Sequence, residues 1–197
     1  MKYRFISDDS FFIQGAKEID GSLLKETIFI HAIDELHTLV AEPGDVIVLT
    51  VKNDVLRTKI MKMPIMKICR LLIMLHVPVS MKLRKKFPWV LQMTLSLKGL
   101  WDIIAQAEKI PVMYENTTAV IHSIFNRLGE GMPASRVASY EKLTEQHIYR
   151  VVRDTAIRYG FIDCNYTSTL VCRDIFNITR ADFELSNEKR VDIAPEK

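Results

Sequence analysis

The sequence predicts an α/β domain with a doubly wound parallel sheet, followed by an all-α domain. Two observations predict it. In the first half, five short apolar runs alternate with segments of helical period, the pattern of a parallel sheet crossed over by helices. In the second half, apolar residues recur at helical spacing around short turns. The 197 residues suffice for one large domain or two small ones, each with its own core. Hydrophobic residues make up 48% and charged residues 26%, a globular balance that argues against wholesale disorder. The expected divisions are residues 1–110 for the α/β domain, 111–178 for the helical domain and 179–197 for a tail.

Each element has a local reason. Tyr3–Ser7 (YRFIS) reads as a strand, followed by a helix over Phe11–Ile19. Thr27–His31 (TIFIH) is the second strand, and Ala32–Glu42 is expected to be helical, with Ile33, Leu36, Leu39 and Val40 on one face. Pro43-Gly44 ends it. Asp45–Val51 (DVIVLTV) is a β-branched run typical of a strand buried on both faces. A helix over Asn53–Met63, a strand over Cys69–Val79 and a strand over Val90–Leu95 follow. Leu97–Lys109 is then an amphipathic helix with Leu100, Ile103, Ile104 and Ala107 on its apolar stripe. Five strands alternating with helices imply a flavodoxin-like sheet.

Composition narrows the setting. The longest uncharged apolar runs are about nine residues, too short to span a bilayer. No secretory signal is visible after Met1, because Lys2, Arg4, Asp8 and Asp9 interrupt any apolar core. Cys69, Cys164 and Cys172 cannot all pair and lack metal-ligand spacing, which suits a reduced, cytoplasmic protein. Between Asp54 and Asp102 there is no acidic residue, while ten Lys and Arg from Arg57 to Lys98 lie inside. Such a block favours nucleic acid, an acidic protein face or anionic lipid, or is a solvated face without a partner. Tyr114–Lys197, by contrast, holds 11 Lys and Arg against 12 Asp and Glu.

The stretch Gly131–Phe161 (GMPASRVASYEKLTEQHIYRVVRDTAIRYGF) reads as two short helices joined by a tight turn, a helix-turn-helix. Ile148, Val152, Thr155 and Tyr159 share one stripe and should pack against Val137, Ile124 and Leu128. That leaves Gln146, His147, Tyr149, Arg150 and Arg153 on or near the exposed face. Arginine can pair bidentately with guanine and glutamine with adenine. Arg136 and Lys142 are better placed for phosphates, which position a protein without carrying sequence information. The same residues also fit an ordinary solvated surface.

On these residues the second half resembles the LuxR-type (GerE-like) helix-turn-helix. Gly131, the Val137-Ala138 pair, Thr144 as cap of the recognition helix, Ile148 and Tyr159-Gly160 match its pattern without a gap. Departures are Gln146-His147 where the family has Lys-Thr, Val151 where it has a histidine, Ile121 where an acid follows the opening Thr118, and Glu141 in place of a core leucine. Thr167–Ile178 matches the final helix, which in the family often mediates dimerisation. The tail from Thr179 looks loosely ordered.

The first half resembles the receiver domain of bacterial response regulators over roughly Met1–Lys109, with its chemistry removed. Asp8 and Asp9 sit where receivers hold their Mg²⁺-binding acids, or alternatively serve as an N-cap. Thr50 stands at the phospho-accepting aspartate, His76 near the responsive Ser or Thr, and Gln92 or Met93 where a lysine is expected. Phosphoryl transfer needs the carboxylate nucleophile and its compensating cations. The resemblance therefore implies a pseudo-receiver silent to kinases.

Together the halves imply a cytoplasmic transcription regulator of the fimbrial or virulence type. It would bind promoter DNA as a homodimer or heterodimer, with no cofactor, membrane partner, small-molecule substrate or catalysis. A protein-interaction regulator or antagonist that holds a partner through the pseudo-receiver is the alternative. An enzyme is disfavoured by the lack of a phosphate loop, nucleophile elbow or His-rich metal motif.

Overall fold

Five short strands carry the first half: β1 Tyr3–Ser7, β2 Thr27–His31, β3 Val46–Thr50, β4 Arg70–Leu75 and β5 Trp89–Gln92. In this computed structural model, residues 1–17, 26–80 and 84–191 are described, with side chains as far as Ile178. The strands form one all-parallel sheet in the order β2-β1-β3-β4-β5, the flavodoxin-like order expected. Every residue of β3 is buried, as its β-branched sequence predicts for a central parallel strand.

Alternation along the strands divides the core. Val46 and Val48 of β3, with Phe5, Leu72, Met74 and Leu91, face helices α1 (Ser10–Lys17) and α3 (Leu97–Glu108). The predicted stripe Leu100, Ile103, Ile104 and Ala107 is buried there. Ile47 and Leu49, with Ile6, Leu71 and Ile73, face the other side, where α2 (Asp54–Met61) contributes Ile60 and Met61.

That second face is where the sequence expectations need correction. The helix expected over Ala32–Glu42 is absent; only a 3₁₀ turn, Leu36–Thr38, forms. Ile33 and Val40 are 66% and 71% exposed, so no continuous apolar stripe faces the sheet. Side-chain bonds compete with helix formation there: Glu35 accepts from the His31 amide at 2.8 Å, and His31 Nδ1 lies 2.8 Å from Asp34 Oδ2. The fourth and fifth strands are also shorter than expected, ending at Leu75 and Gln92. Pro78 cannot donate to a ladder, and Val79 pairs elsewhere. Of the expected helix Phe11–Ile19, the last two positions lie outside the described residues.

The helical half fills the space. Its helices are α4 (Ala119–Gly129), α5 (Ala134–Glu141), α6 (Glu145–Arg158) and α7 (Tyr166–Val191). α7 packs on α2 and on the 3₁₀ turn Pro64–Lys67. One apolar cluster runs from Ile47 and Leu71 of the sheet through to Ile124, Val137, Ile148 and Phe176. A parallel sheet must be covered on both faces, and here the helical half helps cover the second. The connection from α3 to α4, which contains the expected boundary at 110/111, is itself strapped down. Tyr114 Oη lies 2.6 and 2.7 Å from the carbonyls of Met66 and Cys69.

α7 runs past the expected end at Ile178 to Val191, so backbone expected to be a loose tail continues the helix. Residues 179–191 contain no Gly or Pro and several good helix formers. Residues 192–197 of the expected tail lie outside the described residues. Among the described residues, no helix is long and apolar enough to cross a membrane.

Candidate nucleic-acid interface

The carboxyl edge of the sheet gathers the residues singled out in the first half. Asp9 caps α1, its Oδ1 accepting from the amides of Phe11 and Phe12 at 3.0 and 3.3 Å. Asp8 accepts from the amides of Lys52 and Asn53 at 3.0 and 2.9 Å and so ties the loop after β3 to β1. Asp9 thus fits the capping alternative, whereas Asp8 serves as a loop tie and not as a helix cap. Lys52, a residue the sequence pattern did not single out, places Nζ 2.7 Å from Asp9 Oδ2. That bond, with amide bonds from Phe12 and Phe11 and against slight desolvation, holds the Asp9 carboxyl below its ordinary range.

Thr50 is buried, and its hydroxyl donates to the Ile6 carbonyl at 3.2 Å rather than pointing outward. His76 is exposed just beyond β4. Thr50, Lys52 and His76 line one cleft of about 230 Å³, together with Arg57, Met93 and Thr167 of α7. Of the expected positions, the cleft brings together Thr50, His76 and Met93, with the Thr50 hydroxyl turned to the backbone. Among the described residues, no cluster of three metal-ligating side chains forms.

Three arginines of the basic stretch are engaged within the fold, while Lys59, Lys62, Lys85, Lys86 and Lys98 are exposed. Arg57 is 2% exposed, with Nη2 2.7 Å from Asp54 and Nε 3.3 Å from Asp174. Arg70 donates to the carbonyls of Gly44, Ile110 and Glu108. Arg84 pairs with Glu115 at 2.6 Å. Lys82 lies outside the described residues.

In the second half, local chemistry sets the geometry. α5 ends at Lys142, whose φ of 56° is left-handed. The Leu143 amide reaches back to the Ala138 carbonyl at 2.9 Å, closing a Schellman turn. Thr144 then caps α6, its hydroxyl accepting from the His147 amide at 3.2 Å. Two residues, Lys142 and Leu143, thus separate one helix from the cap of the next. α6 ends in a second Schellman turn at Gly160, φ 91°, with the Phe161 amide 3.0 Å from the Ala156 carbonyl.

The predicted inner stripe is buried: Ile148, Val152, Thr155 and Tyr159 pack with Val137, Ile124 and Leu128. Glu141, in place of an apolar residue, is satisfied by α4, accepting from Ser123 Oγ and lying 3.4 Å from Arg127 Nε. The Arg127 guanidinium in turn covers the Tyr140 ring at 3.3 Å.

Gln146, Tyr149, Arg150 and Arg153 are exposed on the outer face of α6, and His147 is half-buried beside them. Tyr149 is 60% and the Arg153 side chain 68% exposed. Arg150 Nη2 lies 3.0 Å from His147 Nδ1, and Tyr149 Oη donates to Glu145 at 3.0 Å. Arg136 on α5 and Lys142 in the turn are exposed on the approach to that face. α6 has 14 residues, so it is about 21 Å long, and a helix of its diameter fits the major groove. Its face carries donors suited to base edges, flanked by two cations suited to phosphates.

A flavodoxin-like sheet welded to a four-helix unit with an exposed, capped central helix is the architecture these observations define. No family model matches the chain, and no curated protein matches it. Solved structures are similar in outline. RcsB from Salmonella enterica serovar Typhimurium, bound to promoter rprA in the presence of phosphomimetic BeF3-, shares 10% identity, with 91% of this chain and 100% of that one covered and a TM-score of 0.39. The response regulator ChrA of a heme-sensing two-component system shares 10%, covering 93% and 98%, with a TM-score of 0.33. Full-length FixJ from B. japonicum shares 12%, covering 88% and 97%, with a TM-score of 0.31.

Proposed function

We propose that the chain is a sequence-specific DNA-binding transcription regulator that acts as a dimer, independently of phosphorylation and without catalysis. One observation carries this reading: α6 is capped by Thr144, buried along Ile148, Val152 and Tyr159, and exposed along Gln146, Tyr149, Arg150 and Arg153. That is the geometry by which a LuxR-type recognition helix enters a major groove. The inward-turned Thr50 hydroxyl and the Lys52–Asp9 pair support silence to kinases. The α/β half, residues 1–110, then acts as a pseudo-receiver for partner binding, and α7 is the candidate dimerisation helix. A cytoplasmic setting follows from promoter DNA as the target.

Gel shifts on genomic promoter fragments test the reading. Arg150→Ala and Arg153→Ala should each weaken binding by about 1–3 kcal/mol if they read base edges. Binding that survives loss of both refutes the assignment of α6. Acetyl phosphate should leave the protein unlabelled; stable labelling contradicts the reading of Thr50.

A second reading has its own observation in favour. Arg153 Nε lies 3.7 Å from Asp154 Oδ1, and Tyr149 is drawn to Glu145, so the outer face of α6 is partly self-neutralised. A regulator that holds a partner through the α/β half without strong DNA contact would show no shift at any salt concentration.

A further inference from the structure

Three seams hold the helical half against the sheet, and two of them close on the C-terminal cap of α6. In the first seam, Asp174 of α7, fully buried, accepts from Thr58 Oγ1 at 2.9 Å and from Arg57 Nε at 3.3 Å, both on α2. Arg173 completes it, with Nη2 2.7 Å from Thr58 Oγ1 and 2.8 Å from Asp174 Oδ1. In the second, Val79 beyond β4 pairs antiparallel with Phe161 just beyond α6. The Ser80 amide donates to the Gly160 carbonyl at 2.7 Å, and the Ile162 amide donates to the Pro78 carbonyl at 3.3 Å. In the third, the Arg84 guanidinium stacks on the Tyr159 ring, 4.6 Å from its centroid.

Tyr159, Gly160 and Phe161 are the residues that end α6, so the α/β half grips this helix by its C-terminal end. The grip leaves the other side free: Gln146, Tyr149, Arg150 and Arg153 are exposed with all three seams closed. A tether would let the helical half swing, but a buried ion pair across the join resists opening, because separation strands uncompensated charge. The close approach is itself specific, since a Cβ on Gly160 would meet the Ser80 carbonyl oxygen at 2.7 Å.

We infer that the α/β half is a clamp that holds α6 in its DNA-reading orientation, so that binding requires no release of the helical half. Asp174 and Gly160 are positioning residues for that helix. The inference rests on the DNA-binding reading above, and its test separates the two.

Pro78 and Ile162 are both exposed and lie opposite each other beside the antiparallel pair Val79–Phe161, joined by the single bond from the Ile162 amide to the Pro78 carbonyl. Residues opposed in this way have Cα atoms about 5.5 Å apart, within the span a disulfide bridges. The full chain carrying Pro78→Cys and Ile162→Cys, with exposed Cys164→Ser, should cross-link under mild oxidation. The linked form should bind a promoter fragment selected by the unmodified protein within about twofold of its reduced form. Failure to cross-link overturns the clamp whether or not the chain binds DNA. A cross-link that lowers affinity more than about tenfold, restored by reduction, overturns it too, because the clamped state would then be the inhibited one. Absence of DNA binding by the unmodified chain overturns the DNA-binding reading, while the cross-link still decides the clamp.

Asp174→Asn in the same background tests the positioning role. Affinity should fall severalfold in the reduced form and recover to the parent level on cross-linking. A loss that cross-linking does not repair overturns the role of Asp174.

Discussion

Asp174 on α7 accepts a hydrogen bond from Thr58 on α2 at 2.9 Å, across 116 positions of sequence, and shares Arg57 with Asp54. Removing the carboxylate leaves the Arg57 guanidinium buried with one partner fewer. Asp174→Ala should therefore cost about 3–5 kcal/mol. Because the bond joins the halves and one apolar cluster spans them, urea unfolding of the parent should show one transition. Two separate transitions in the parent would contradict a shared core.

Gly160 has two reasons to be glycine, a φ of 91° and the carbonyl of Ser80 within 2.7 Å of where a Cβ would sit. Gly160→Ala should cost about 2 kcal/mol, the left-handed strain plus the shift of Ser80. Equilibrium unfolding measures it, and a neutral result would mean that residues 78–80 do not approach α6 in solution.

Lys142 should separate stability from affinity. It holds a left-handed φ of 56° that glycine adopts without strain. Lys142→Gly should raise stability by about 0.5–1 kcal/mol. In the same variant, DNA binding should weaken across sequences and its salt dependence should become shallower, since a phosphate contact is lost. Parallel loss of stability and affinity would count against the proposed phosphate role.

Acid should weaken the α/β half through Asp45. Burial pushes its carboxyl up, but the amides of Glu42 and Lys2 and the Arg4 guanidinium outweigh it, holding it below its ordinary value of 3.8. A carboxyl depressed in the folded state lends stability above its unfolded value, and that stability is lost as pH falls through the folded one. The unfolding free energy should thus be level near neutrality and decline below about pH 4. Asp45→Asn should lower stability at pH 7 and flatten the acid decline. Urea midpoints from pH 7 to pH 3 decide it; an unchanged acid slope in the variant would remove Asp45 as the cause.

Several elements were readable from the chain because their causes are local. The β-branched run ending at Thr50, the stripe from Leu100 to Ala107 and the cap at Thr144 each depend on a few neighbouring residues and survive intact in the fold. The tight turn expected between the two helices falls at Lys142–Leu143, just ahead of that cap. The helix expected over Ala32–Glu42 failed because bonds among His31, Asp34 and Glu35 bind that backbone into turns, a competition periodicity does not register. Arg57, one of the residues of the basic stretch, and Asp174 are core residues. An Arg173-Asp174 pair set within the apolar residues Leu170–Cys172 and Ile175–Phe176 was the available sign that a buried partner existed.

The sequence by itself determined which five runs become strands, the exposed and buried faces of α6, and the absence of an aspartate at Thr50. These follow from residue type and spacing along a short stretch of chain. Only the tertiary structure decided that the basic stretch turns inward at Arg57, Arg70 and Arg84, and that the helical half helps cover the sheet. It alone showed that Ser80 sits against Gly160. The reason is that these contacts join residues far apart in the chain, and their partners are chosen by which buried charges and uncovered apolar faces must be matched once the sheet has formed.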